Sequence, residues 1–160
     1  MLSGRFDADF WSGIVLQMAH AEPAVRNAMI ALAYLNKHGT GDLDLARRYA
    51  SPRGQFWLYY NMAVRHLVDR MNETSYTPEV GLVVCLLFVC IEFLRADTQA
   101  AIKHLKSGLG IISELRRHAP ISTHQARSAR GNINGPLNII EETLVPVFTH
   151  GLASTRYKYY

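Results

Sequence analysis

The chain has 160 residues, 49% of them hydrophobic and 19% charged, with a formal net charge of +4. This is one domain's worth of chain with material for a real core, and it excludes a disordered or low-complexity protein. The longest apolar run, Val80 to Ile91, falls short of the ~20 residues a bilayer span needs, and MLSGRFDADFW has acids where a secretion signal needs a basic flank and an apolar segment.

No membrane association is therefore expected, and the localisation read from the sequence is intracellular, nuclear or cytoplasmic. In that setting Asn72-Glu73-Thr74, formally a glycan acceptor, is an accident of composition.

Helical punctuation dominates. Asp9 opens a helix over about 9–21, with Phe10, Ile14 and Met18 on one face and Trp11 and Val15 beside it. Glu22-Pro23 restarts the chain, and proline suits a first helical turn, so a second helix covers about 23–37 and buries Ala24, Met29, Ala31, Leu32 and Leu35. After the turn formers HGTGDLD and the loop around Ser51-Pro52-Arg53-Gly54, a third helix runs over about 55–71. Its predicted inner stripe is Trp57, Tyr60, Val64, Leu67, Val68 and Met71.

Thr77-Pro78 starts a fourth helix, about 78–95, which is apolar nearly all round and so should be enclosed by the others. Asp97 can cap a fifth, about 97–117, with the stripe Ala101, Leu105, Gly108, Leu109, Ile112 and Leu115. Gly108 and Gly110 each cost ~1 kcal/mol there relative to alanine, which close approach of a neighbouring helix would offset. Residues 118–136 read as a mobile loop, 137–148 as a sixth helix interrupted by Pro146, and 149–160 as a tail.

Both cysteines lie in the fourth helix. Cys85 and Cys90 are five residues apart, which puts their side chains about 140° from one another. They cannot share a face, so a disulfide or a paired-thiolate metal grip is disfavoured, and both are read as small core hydrophobes. AVRHL at 63–67 is echoed by AIKHL at 101–105. A spacing of that size fits helix-turn-helix repeats. The expected fold is all-α: one domain over 1–160, built of antiparallel helical hairpins stacked into a bundle or short TPR-like solenoid of about six helices.

The stretches FDADFWSGIVLQMAHAEPAVRNAMIALAYLNKH, YYNMAVRHL and LLFVCIEFLRADTQAAIKHLKSGLGIISEL, in that order, resemble the regulatory "fungal-specific transcription factor" domain of fungal zinc-cluster transcription factors. The resemblance spans roughly residues 6 to 115, with NIIEETLVPVF as a weaker extension, and its most specific marks are the FW pair, EPAVR, the CIE helix and HLKSGLGII. It implies an all-helical regulatory domain that lies downstream of a DNA-reading six-cysteine cluster and senses small molecules. Two cysteines within one helix cannot make that cluster, and the family's further helical half is expected to be missing.

Candidate chemistry centres on Trp57, Tyr60, His66, Glu92 and His104 as ligand-binding residues. His66 and His104 hold equivalent places in the echo, beside an inner stripe. They read either as proton carriers lining a pocket or as packing histidines. Glu92, at the end of the apolar run, needs a partner if buried, with Arg95, Lys103 or His104 in reach; a polar spot formed with His104 inside an apolar cavity is the sharper alternative. Trp57, Tyr59 and Tyr60, with Phe10 and Trp11, are core aromatics or a ligand cage.

Arg116, Arg117, Arg127 and Arg130, with His118 and His124, form a basic stretch without interleaved aromatics, read as a solvated loop rather than a phosphate contact. No phosphate-loop, dinucleotide, zinc-protease, calcium-loop or nucleophile-elbow motif occurs, so no metal, cofactor or reaction is assigned. The expected function is a regulatory, ligand-sensing helical module, without sequence-specific DNA binding of its own, that works through a protein partner or a homodimer and a small apolar ligand. The alternatives are a small stand-alone isomerase- or cyclase-type enzyme acting on an apolar metabolite, and a homodimerisation or interaction scaffold.

Overall fold

The computed structural model describes residues 10–39 and 54–118, the side chains of 10–12, 38 and 39 excepted. The expectations for Asp9, the rings of Phe10 and Trp11, the loop over 40–53, the 119–136 segment with His124, Arg127 and Arg130, the sixth helix and the tail lie outside it. Among the described residues all regular structure is helical, in five helices. The first begins as a π-helical stretch, Phe10–Val15, around Gly13 and continues as α1, Leu16–Ala21. The others are α2 (Pro23–Gly39), α3 (Gln55–Met71), α4 (Pro78–Leu94) and α5 (Thr98–His118).

Their ends follow local chemistry. Glu22 is extended between α1 and α2, and Pro23 occupies the position where a missing N–H costs nothing. Thr77-Pro78 starts α4 in the same way. The side chain of Asp97 accepts the Ala100 N–H at 3.0 Å and so caps α5. Between α4 and α5 the chain turns through Ala96, a non-glycine residue with φ 55°, and the Asp97 N–H closes back on the Glu92 carbonyl at 2.9 Å.

Arg70, at the end of α3, reaches Glu22, before the start of α2, so these helices run antiparallel. Phe88 meets His104 and Gly81 lies by Ile111, so α5 returns antiparallel along α4. The two hairpins stack through α2 against α4, while α3 touches α4 more lightly. The α4 run from Val80 to Val89 is buried, as are Ile91 and Glu92. Each such Val, Leu, Ile or Phe contributes about 1.5–3 kcal/mol by leaving water, which makes α4 the pillar its all-round apolarity predicts. Among the described residues no helix is long and apolar enough to cross a membrane.

Three expectations need correcting. The core face of α3 is Phe56 and Ala63, flanked by half-buried Trp57, Tyr60 and Leu67, whereas Val64, Val68 (52% exposed) and Met71 (53% exposed) face outward. Gly108 is buried, but Gly110 points to open space, so among the described residues no neighbouring helix offsets its cost. Cys85 is buried, and burial pushes its thiol up to about 11, but Cys90 is half-buried at the edge of a groove; no disulfide joins them.

Candidate functional site

Four of the five predicted residues converge where the N-terminal half of α3 crosses the C-terminal turn of α4 and the first turns of α5. Glu92, 1% exposed, is the centre. Its Oε1 accepts the Tyr60 hydroxyl at 3.0 Å, and its Oε2 pairs with the Arg95 guanidinium. The single phenolic proton goes to Glu92, so the 3.4 Å contact between Tyr60 and His104 Nε2 is an N–H of His104 donating to the phenolic oxygen.

Rings enclose the polar atoms. Tyr60 stacks on Phe88 at 4.7 Å, the His104 ring lies tilted 5.0 Å from Phe88, and the Arg95 guanidinium lies 4.6 Å from the Trp57 ring centre and 5.6 Å from that of Phe56. A cation over an aromatic face retains much of what it loses in water.

The electrostatics follow from this enclosure. Burial above all, then the charge of Glu92 and the hydrogen bond to it, raises the Tyr60 phenol well above its usual range, so it stays a donor. Burial lowers His104 below the ordinary histidine range, partly opposed by Glu92. A neutral imidazole, a protonated phenol and a carboxylate with both oxygens engaged form an arrangement that holds charge rather than one that presents a nucleophile or a free base.

His66 does not join this group. It is half-buried on another face of α3, six residues and so roughly 120° around the helix from Tyr60. The sequence echo misleads because Ala63 lies two turns into α3 while Ala101 lies in the first turn of α5. Lys103 is exposed and takes no part.

A separate apolar groove of about 590 Å³ opens between α2 and α4, lined by Met29, Leu32, Ala33 and Asn36 from α2 and Cys90, Phe93 and Leu94 from α4. None of Trp57, Tyr60, His66, Glu92 or His104 lines it. Sequence reasoning missed it, because neither helix's pattern marks a gap between two helices; in the structure Phe93, a large apolar side chain in an otherwise buried helix, is 44% exposed on its wall.

One oxygen of Glu79, in the first turn of α4, is buried without a hydrogen-bond partner among the described residues. Among the described residues no three His, Cys, Asp or Glu side chains gather as a metal set.

The family model described as the fungal specific transcription factor domain matches residues 6–135. A curated protein, the transcription regulator lscL of Purpureocillium lilacinum, is 29% identical over 108 residues, which cover 64% of this chain and 26% of that protein. The match thus spans about a quarter of that relative's length. No solved structure matches.

Proposed function

Because the chain belongs to the fungal specific transcription factor domain family, we propose that its regulatory role is exercised by sensing a small uncharged apolar molecule in the α2–α4 groove. The groove carries this reading. Its volume is that of a small-molecule site, and its lining offers one polar side chain, Asn36, and no charged one. A charged ligand would lose hydration there without compensation. Along α2 the groove runs from Met29 to Asn36, about 10 Å at helical rise.

With two cysteines in the chain, the module does not itself read DNA; on this reading it works in the nucleus through a protein partner, and its similarity to a transcription regulator supports the regulatory role. The buried Glu92 group favours this over the enzyme alternative, because its ionisable side chains are already engaged with one another.

The test is a titration with N-phenyl-1-naphthylamine, an uncharged fluorescent apolar probe. Wild type is expected to bind it saturably. Ala33→Trp, which fills the groove from an exposed position of α2, is expected to weaken binding at least tenfold with the helical signal and melting temperature preserved. Equal binding by the two proteins rejects the groove, and a sequence-selective mobility shift at physiological salt by this chain rejects the claim about DNA.

A further inference from the structure

The groove and the Glu92 group use opposite sides of one turn of α4. Cys90, Phe93 and Leu94 wall the groove, while Glu92 and Arg95 engage Tyr60 and Trp57 of α3. The turn is pulled both ways. Rotation toward α2 would bury Phe93 and shrink the groove, a favourable move for apolar surface now facing water. The same rotation would draw the Glu92 carboxylate off the Tyr60 hydroxyl and the Arg95 guanidinium off the Trp57 ring, stripping a buried charge of partners it cannot replace with water. Beyond the turn the backbone has no slack, since Ala96 sits in the left-handed region and Asp97 is bonded back to Glu92.

We propose that the contact of Tyr60 and Trp57 with Glu92 and Arg95 props the groove open, so that α3 sets the groove's affinity for its ligand without touching that ligand. Tyr60 is then a positioning residue, and any partner that moves α3 regulates binding through it. The proposal rests on the ligand reading above.

The experiment compares wild type, Tyr60→Phe and Arg70→Met in the N-phenyl-1-naphthylamine titration. Tyr60→Phe keeps the ring on Phe88 and removes only the hydroxyl. Arg70 ties the other end of α3 and serves as the control for general loosening. Tyr60→Phe is expected to weaken the probe at least threefold while Arg70→Met stays within 1.5-fold of wild type. Glu92→Gln, isosteric but uncharged, is expected to act in the same direction and keeps the test open should the first variant fold poorly by circular dichroism.

Equal weakening by Tyr60→Phe and Arg70→Met overturns the prop, because the effect is then general. So does wild-type affinity in both Tyr60→Phe and Glu92→Gln, which leaves the ligand reading standing. No saturable binding by wild type removes the ligand reading itself, and the prop with it.

Discussion

Helix α3 is fastened at both ends, in two different ways. At its N-terminal end Tyr60, Trp57 and Phe56 close over a carboxylate withdrawn from water and over the Arg95 guanidinium paired with it, both at the end of α4. At its C-terminal end Arg70 makes more bonds: its Nε reaches both Glu22 oxygens at 3.1 and 3.2 Å, Nη1 reaches Glu73 and Ser75, and Nη2 reaches the Ser75 carbonyl. The contacts of this clamp to Glu73 and Ser75 are exposed and its bond to Glu22 is half-buried, so water can replace partners there that it cannot replace around Glu92, 1% exposed. A count of bonds ranks the second end higher, whereas desolvation ranks the first higher, because a buried charge that loses its partner has nowhere to turn.

The sharpest way to break the comparison is Arg95→Ala. It leaves Glu92 in place, buried and held by Tyr60 alone, and should destabilise the fold by about 3–5 kcal/mol in urea titration. A loss below about 1 kcal/mol, the size seen for surface pairs, would show that water reaches Glu92 and that the two ends of α3 do not differ in kind. Next comes Arg70→Met, expected to cost less than Arg95→Ala despite the longer list of bonds. Its effect should shrink in part as sodium chloride is raised from 0.05 to about 0.5 M, since the exposed Glu73 pair is screened over a few ångströms at high salt and the half-buried Glu22 pair less so, while that of Arg95→Ala should hardly change.

These two ends were not equally legible in the sequence. The need of Glu92 for a partner could be read from one acid at the end of an apolar run, and Arg95, three residues on, lies on the same helical side. Tyr60 and Trp57 could be picked out as aromatics but not as the lid of that carboxylate, because their approach depends on how α3 crosses α4. The face of α3 was misread for a physical reason. Periodicity weights large side chains, so Val64, Val68 and Met71 outvoted Ala63, which is fully buried because it is small and lets its neighbour approach. α4 was legible throughout, since a helix apolar on all sides has one stable place. The groove was not, as it belongs to neither α2 nor α4 but to the gap between them.

A smaller effect separates the two ends by pH. Burial, the larger influence, and the opposing charge of Glu92 leave the folded-state value of His104 below the ~6.5 of an unfolded chain. The unfolded state then binds more protons at mildly acidic pH, so this contribution is complete above pH ~6.5 and is lost as pH falls through the folded value. The wild-type melting temperature should therefore fall between pH 7.5 and 5, and His104→Gln should flatten that fall. Arg70→Met should lower the whole curve without changing its slope there, because no histidine takes part in the clamp.

The smallest expected effect has the opposite sign. Ala96 follows the last turn of α4 with φ 55°, a conformation in which an L side chain crowds its own carbonyl and which glycine adopts freely. Helices commonly end on such a residue, with glycine there by preference. Ala96→Gly removes the crowding but frees the unfolded chain, so the net gain should be modest, about 0.5 kcal/mol of added stability in urea. The sign carries the information. If the conformation is imposed by the closed helix end, with Asp97 bonded back to Glu92, relief of strain stabilises the protein. If the turn were instead held only by the aromatic and ionic contacts at the N-terminal end of α3, glycine would loosen the mount of Glu92 and Arg95, and stability would drop. A measured gain would thus mean that the prop acts on a turn already rigid on its far side, so that a force applied at Tyr60 reaches Phe93 rather than dissipating in the loop.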